Sequence, residues 1–321
     1  MSTLVFLEHH GSAIQRGALG VLSKAVSLDP DTAGVLVGSG VREVAGEAGR
    51  YGCSKVYVAD DASLEAPLPQ PRVDVISRLI RDKGFETVLF GASVLSADVA
   101  AGVSARLDAG LNWDLGDIER RNGDVIGKRS ALGDTVLVDV GWSSTPRLGL
   151  VRAGSFDPVE HGGGAPEVED IGVELEDFSS LATMVEQAHE EQTGPSIEEA
   201  DILVTGGRGL GGPEHFAMLE ELAQALGGAV ASTRAVVDSG WYPYPTQIGQ
   251  TGKVVSPKLY IGAGVSGAIQ HKVGMQTSQT IVAINKDPNA PIFEFSDLAV
   301  VGDVHQVIPK LTELVKARKG A

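Results

Sequence analysis

The sequence predicts an α/β fold made of two open, mainly parallel-sheet domains. In residues 1–110, short apolar runs alternate with stretches whose apolar positions have helical spacing. Such alternation is typical of a parallel sheet covered by helices on both faces. The alternation resumes after residue 201, and the segment between the two halves is rich in glycine, proline and acidic residues.

The first domain is assigned to residues 1–192. Strands are predicted over 3–7, 33–38, 54–59 and 87–91, and helices over 16–28, 41–50, 71–83 and 95–106. From residue 111 to 152 the pattern alternates more strictly, with turn dipeptides at 122–123 and 133–134. We therefore expect strands over 125–130, 135–141 and 147–153 to form hairpins that close this domain.

The second domain is assigned to residues 193–321. A strand over 201–205 leads into a glycine-rich turn and a helix that ends near Leu226. Further strands are predicted over 258–261 and 279–284, a helix from about Ser266, and a terminal helix over 303–317. This order of elements predicts a Rossmann-like or flavodoxin-like domain.

The negative charge is concentrated in one part of the chain. The net charge of −16 comes from 42 acidic and 26 basic residues, and 14 of the acidic residues lie in residues 157–201, the acidic segment, which holds no Lys or Arg. This balance argues against nucleic-acid binding as the main activity. The acidic segment is either a solvated surface, the simpler interpretation, or a self-repelling joint or contact surface for a partner.

Several other classes of protein are not expected. No apolar run approaches the roughly 18 residues that cross a bilayer, so we expect no membrane-spanning segment. Residues 1–7 are too short for a signal sequence, which favours the bacterial cytoplasm, or the mitochondrial matrix for a processed eukaryotic protein. The single Cys53 fits a reducing compartment. The scattered histidines give no metal-binding pattern, and no nucleophile-elbow motif is present.

Two glycine-rich turns follow strands of the second domain. The turn 206–209 contains Arg208 and precedes a helix, which is a natural site for a phosphate. The turn 262–267 matches G-x-G-x-x-G, and Asp287 follows Gly267 by 20 residues, as in dinucleotide-binding sites. An NAD-dependent dehydrogenase using this second turn is therefore one hypothesis.

Other residues are ambiguous when taken singly. Residues 247–253 resemble a P-loop but lack its first glycine and its final Ser or Thr. A lone His271 and a lone Arg234 are more often structural or surface residues, and the aromatic residues of 241–245 are more often a packed loop. Only a combination of motifs can assign a function.

The combined motifs resemble the electron transfer flavoprotein alpha subunit. They are the run 259–271, the run 280–293, the turn 206–209 and the loop 249–253, with a looser similarity over residues 1–156. The resemblance covers nearly the whole chain. It implies that the second domain binds FAD, with the first domain contacting a beta subunit.

The resemblance also implies which residues line the flavin site. They are Arg208, Thr233, Arg234, Ile248, Gly249, Gln250, Thr251, Ser266, Gly267, Ala268, Ile269, Gln270, His271, Asn285, Asp303 and Val304.

The implied roles follow the parts of the cofactor. The residues that open the helix from Ser266 would face the ribityl and pyrophosphate groups, while Asn285 and Asp303 would serve the adenosine. Arg234 would lie against the isoalloxazine ring, with Thr251 near N5 and His271 near O2. Positive charge near N1 and O2 stabilises an anionic flavin.

The implied function is electron transport without substrate chemistry. The heterodimer would hold one FAD, with AMP in the beta subunit, and would take electrons from flavin dehydrogenases such as the acyl-CoA dehydrogenases of fatty acid beta-oxidation. It would pass them singly to a membrane quinone oxidoreductase. An electron-bifurcating variant, and the NAD-dependent dehydrogenase above, remain the alternatives.

Overall fold

The computed structural model describes residues 2–132, 136–186, 196–198 and 200–319. The chain divides into two compact units, Met1–His189 and Glu190–Ala321. Each unit contains a large, mainly parallel sheet, which confirms the predicted fold class. The predicted boundary at 192/193 and the turn at 133–134 lie outside the described residues. Within the described ranges, no helix is both long and apolar enough to cross a membrane.

The first unit begins with a βα alternation and continues with long paired strands. Its strands are β1 (Thr3–Phe6), β2 (His9–His10), β3 (Ala13–Ile14), β4 (Ala33–Gly38), β5 (Lys55–Asp60), β6 (Thr87–Gly91), β7 (Leu111–Arg121), β8 (Asp124–Ala131), β9 (Val136–Val140), β10 (Arg147–Val151) and β11 (Glu167–Asp170). Its helices are α1 (Arg16–Leu28), α2 (Ala45–Arg50), α3 (Pro69–Lys83) and α4 (Val94–Leu107).

The main sheet of this unit has nine strands in the order β11-β5-β4-β1-β6-β10-β7-β8-β9. Its pairs are parallel from β11 to β7, and only β7–β8 and β8–β9 are antiparallel. The prediction that 147–153 forms a hairpin is therefore wrong, because β10 lies between β6 and β7 and is parallel to both. Its alternating pattern identified a strand but could not determine the direction of its neighbours.

Helices cover both faces of the parallel part of the sheet. On one face, Leu19 and Leu22 of α1 and Ala48 of α2 are buried in the core. On the other face, Ile76 of α3 and Val99 of α4 are buried in a second core. The two cores explain why β1, β4 and β6 are buried along their whole length.

The second unit is a six-stranded, wholly parallel sheet. Its strands are β12 (Ile202–Gly206), β13 (Ala229–Thr233), β14 (Gln247–Ile248), β15 (Leu259–Ala263), β16 (Ile281–Asn285) and β17 (Leu298–Val301), and its helices are α5 (Phe216–Leu226), α6 (Arg234–Asp238), α7 (Ile269–Lys272) and α8 (Val304–Lys319). The order β14-β13-β12-β15-β16-β17 is third-second-first-fourth-fifth-sixth, which is the Rossmann order.

The start of the acidic segment is bound to the first unit. Residues 157–176, the acidic strap, include β11, which extends the sheet alongside β5. The strap makes ion pairs with basic side chains of the same unit, namely Arg16–Asp157, Arg50–Glu160, Lys55–Glu167, Lys55–Glu169, Lys83–Glu169, Arg42–Asp170 and Arg78–Glu174. The solvated-surface interpretation omitted these contacts. The proposed joint between residues 187 and 195 lies outside the described residues.

Glu169 connects β11 to two lysines at once, so it provides a test of the strap. Its carboxylate lies 2.7 Å from both Lys55 Nζ and Lys83 Nζ, and these contacts lower its pKa. Glu169→Gln should speed amide hydrogen exchange in β11 at low salt, and the difference should shrink at about 1 M NaCl, because salt screens exposed ion pairs.

Hydrogen-exchange mass spectrometry of residues 167–170 measures this effect. Glu186→Gln is the matched control, because it also removes one negative charge from the acidic segment. Glu186 is exposed and has no ion pair with a described residue. Equal exchange in β11 for the wild type and Glu169→Gln would show that the backbone pairing alone holds the strap.

Candidate functional site

The predicted site residues lie along one edge of the second sheet. All six strands are parallel, so their carboxyl ends lie at the same edge. Every predicted flavin-site residue lies at one of these ends, in the loop after it or in the first turn of the helix that follows. The strand order reverses between β12 and β15, and ligands of open α/β sheets bind in the crevice at such a point.

Glycines allow the turns after β12 and β15 to touch through their backbones. A Cβ atom at Gly207 would lie 2.2 Å from the carbonyl oxygen of Gly264, and one at Gly209 would lie 2.7 Å from it. Gly209 N–H donates to the Gly264 carbonyl at 3.0 Å, and Gly207 N–H donates to that of Ala263 at 2.9 Å. Any larger side chain at Gly207 would separate the two turns, so these glycines build the crevice.

The predicted helix from Ser266 is wrong, because α7 begins at Ile269 and has four residues. Gly267 has a φ of 84°, which is not helical, so the helix begins only after it. A Cβ at Gly267 would lie 2.3 Å from Ile292 N. A helix this short adds little dipole at its N-terminus. Among the described residues, however, no acceptor pairs with the backbone N–H groups of 266–270, which leaves these donors for an anionic ligand.

The loop after β14 is held against α7, the short helix after β15. Gln250 N–H donates to the Gln270 carbonyl at 2.8 Å, and a Cβ at Gly249 would lie 2.9 Å from that same oxygen. The Gln247 side-chain amide donates to the Thr251 hydroxyl at 3.2 Å. Because this hydroxyl accepts that bond, its own hydrogen is free to be donated to a ligand.

Two arginines and a threonine offer polar groups at the ends of β12 and β13. Arg208 is exposed at the switch point. The Arg234 side chain is 65% exposed, and its Nε lies 3.3 Å from an Asp238 carboxylate oxygen. Thr233 Oγ1 is buried and has no hydrogen-bond partner among the described residues, although Thr233 occupies the N-cap position of α6. A buried hydroxyl without a partner is unfavourable, so a polar ligand atom bound at this strand end can satisfy the Thr233 hydroxyl.

His271 is placed differently from the sequence-based expectation. Its ring is buried, with Nε2 2.8 Å from the Tyr260 hydroxyl and Nδ1 3.1 Å from the Ile248 carbonyl. Burial lowers the pKa of His271 to about 4. The ring is therefore neutral at pH 7, and the positive charge expected near the flavin O2 is not present in this state. The predicted contact with O2 itself stays a prediction.

The residues predicted for the adenosine end support the loops. The Asn285 side chain donates to the Val265 carbonyl at 2.9 Å and accepts from Asp287 N–H at 3.0 Å. An Asp303 carboxylate oxygen accepts from His305 N–H at 2.9 Å, at the start of α8. Val304, predicted to line the flavin site without a specific role, is buried in the core. These contacts fix the rim of the crevice, and the adenosine contacts themselves stay predictions.

The arrangement fits FAD and fits an NAD site less well. Free loop N–H groups and Arg208 can bind a pyrophosphate, and the unpaired Thr233 hydroxyl can meet a polar cofactor atom. The turn 262–267 lacks the long helix on which an NAD pyrophosphate rests. In the described part of the chain, no three His, Cys, Asp or Glu side chains are arranged to hold a metal ion.

The sequence reasoning missed Thr205 and Tyr260, which lie beneath the site. Both belong to apolar strands and are fully buried. The only available signal was the presence of two hydroxyl groups within otherwise apolar strands.

Comparisons with known proteins agree across both units. A model of the electron transfer flavoprotein FAD-binding domain matches residues 196–276. A model of the electron transfer flavoprotein domain matches residues 3–176. The first match contains the loops after β12, β13, β14 and β15, while Asn285, Asp303 and Val304 lie beyond it.

Curated relatives are similar over the full length. The electron transfer flavoprotein subunit alpha of Mycobacterium leprae is 39% identical over 331 residues, covering 99% of this chain and 99% of that protein. The protein of the same name from Mycobacterium tuberculosis H37Rv is 40% identical over 324 residues, covering 99% of each. Protein FixB of Clostridium saccharobutylicum is 36% identical over 319 residues, covering 97% of this chain and 95% of that protein.

The unpaired hydroxyl of Thr233 gives a test of cofactor binding. Thr233→Val should weaken FAD binding by about 2- to 10-fold, the effect of losing one hydrogen bond. The FAD-free chain should keep its stability or gain slightly, since a buried unpaired hydroxyl is removed. Flavin fluorescence titration and chemical denaturation measure the two effects. Thr233→Ser keeps the hydroxyl and should bind FAD like the wild type, and unchanged FAD affinity in Thr233→Val would exclude this contact.

Proposed function

This chain belongs to the electron transfer flavoprotein alpha-subunit family, and from that premise we propose that it holds one FAD in its second unit and carries electrons in complex with a beta subunit. The resemblance inferred from the sequence is thus confirmed, as is the prediction of an electron carrier rather than an enzyme. The proposed location of FAD rests on one observation. The match to the FAD-binding domain includes the loops that follow β12, β13, β14 and β15 at the carboxyl edge of the sheet.

The chain's own residues would bind and orient the cofactor. Arg208 and the N–H groups of 266–270 would hold the pyrophosphate. They lie on both sides of the switch point, the Arg208 side chain is exposed, and the N–H groups have no backbone acceptor within the described part of the chain. The Thr251 hydroxyl would donate toward N5, and Arg234, mostly exposed beside β13, would place positive charge near the ring. When bound, FAD supplies the redox chemistry.

The proposal extends to the electron donors and acceptor, the contact with the beta subunit and the cellular compartment. Flavin dehydrogenases, including acyl-CoA dehydrogenases of fatty acid beta-oxidation, would donate the electrons, and a membrane quinone oxidoreductase would accept them. The first unit would contact the beta subunit, which would bind AMP. The relatives named above are bacterial, which favours the bacterial cytoplasm over the mitochondrial matrix.

Two alternatives can be separated from this proposal. An NAD-dependent dehydrogenase is disfavoured by the short α7 and by the family to which the chain belongs. Electron bifurcation depends heavily on the beta subunit, and it would require a second redox cofactor in the purified complex.

The proposal is tested by reconstitution. The full-length chain, assembled with its beta subunit and FAD and then gel-filtered, should retain a yellow flavin spectrum with one FAD per heterodimer. A complex that emerges colourless, or that retains NAD in place of FAD, would contradict the proposal. A second flavin per heterodimer would support bifurcation.

Arg234 provides a separate prediction about the redox potential. Arg234→Ala should lower the flavin midpoint potential by tens of millivolts, because a nearby cation stabilises an anionic flavin and about 59 mV corresponds to a tenfold change in a one-electron equilibrium. Arg234→Lys keeps the charge and should retain most of the potential. Redox titration measures both variants, and a potential in Arg234→Ala equal to the wild type would remove Arg234 from this role.

A further inference from the structure

A buried polar network lies beneath the proposed flavin edge. Tyr260 of β15 is fully buried, and its hydroxyl lies 2.8 Å from His271 Nε2. Thr205 of β12 is also fully buried, and it pairs with Gly262, two residues along β15 from Tyr260. Burial raises the pKa of Tyr260, and hydrogen bonding from the Thr205 side chain is the smaller effect that lowers it, so the two hydroxyls lie close together. Thr205 Oγ1 nevertheless makes no hydrogen bond of ordinary length and angle with a described residue.

The donors and acceptors of this network fix where each hydrogen lies. The Ile248 carbonyl can only accept, so His271 Nδ1 carries a hydrogen and donates it. In the neutral ring, Nε2 is then an acceptor. Tyr260 must therefore donate its single hydroxyl hydrogen to Nε2, and Thr205 receives none.

Protonation of His271 would reverse one bond. Nε2 would gain a hydrogen from solvent and become a donor, with the Tyr260 oxygen as its acceptor. The Tyr260 hydroxyl hydrogen would then need a new acceptor in a buried position, since an unpaired buried donor is costly. Thr205 Oγ1 is the unpaired oxygen available for it.

We propose that Thr205 and Tyr260 are positioning residues that form a two-state relay with His271. In one state Tyr260 donates to a neutral His271, and in the other it donates to Thr205 while His271 carries a positive charge. The relay allows the ring to gain a charge beneath the cofactor without leaving a buried polar group unpaired. Its use with a reduced flavin rests on the proposed function.

The nearby charged groups do not supply an alternative explanation. Lys272 on α7 lies over the Phe295 ring, and Lys253, in the loop after β14, pairs with Glu198 at 2.8 Å. Burial accounts for most of the shift in the pKa of His271, and the Ile248 carbonyl acts in the opposite direction. The negative charge that draws a proton to His271 would therefore have to arrive with the ligand.

The experiment follows the pKa of His271 in the heterodimer loaded with FAD. Histidine ring carbons are labelled with ¹³C, His271→Gln identifies the signal, and spectra are recorded from about pH 3 to 9 with the flavin oxidised and then reduced. The variants are Thr205→Val, Thr205→Ser, Tyr260→Phe and the double variant Thr205→Val/Tyr260→Phe. The pH dependence of the flavin midpoint potential is recorded for the same set.

Thr205→Val should lower the pKa of His271 in the reduced complex by about one pH unit, since the charged state loses a hydrogen bond. The pH at which the slope of the midpoint potential changes should shift by the same amount. Thr205→Ser keeps the hydroxyl and should restore both values. In the Tyr260→Phe background, Thr205→Val should have no further effect, because the relay is already broken.

An unchanged pKa of His271 in Thr205→Val would overturn the relay, as would an equal shift with and without the Tyr260 hydroxyl. If Tyr260→Phe does not fold, the comparison of Val and Ser at position 205 decides the matter. The FAD-free heterodimer provides the remaining arm, where Thr205→Val should still lower the pKa of His271. If the wild-type heterodimer does not bind FAD, the proposed function is contradicted. The titration of the FAD-free heterodimer tests the relay independently of that result.

Discussion

The backbone contact between the turns after β12 and β15 is the constraint on which the second unit depends. The parallel order brings six carboxyl ends to one edge, but the crevice exists only because Gly207, Gly209 and Gly264 carry no side chains. Two backbone hydrogen bonds then join the turns at their closest approach. The glycines of this region therefore shape a rigid crevice, and the donors left unpaired around it are determined by that geometry.

A second constraint comes from the interior. His271 connects the end of β14 to β15 through its two ring nitrogens, so the loops that would meet the flavin ring share one buried support. Burial keeps this ring neutral, since a charge there would lose its hydration. Because an unfolded histidine binds a proton near pH 6.5, the folded unit should lose stability as the pH falls from there toward 4.

Much of this fold could be predicted from the sequence, because periodicity records burial. Strands β1, β4 and β6 lie between two layers of helices, and the short apolar runs in their sequence predicted this burial. The direction of β10, the pairing of β11 and the late start of the helix after β15 could not be predicted. Each depends on a tertiary contact, since β11 is held by lysines distant in sequence and Gly267 packs on Ile292.

The candidate site could likewise be predicted only in part from the sequence. Motifs identified the loops, because glycine turns after strands have a local signature. The His271 ring is buried, and Thr233 and Thr205 have hydroxyls without a partner among the described residues; both features depend on what packs around these side chains. The distribution of charge along the sequence likewise does not show which carboxylates are paired in the fold. Residues 1–189 carry 28 acidic and 16 basic residues, but β11 and the ion pairs of the acidic strap hold much of this charge within the first unit. A strongly acidic sequence segment is therefore not by itself a free electrostatic surface, since its carboxylates can be committed to the unit that precedes it.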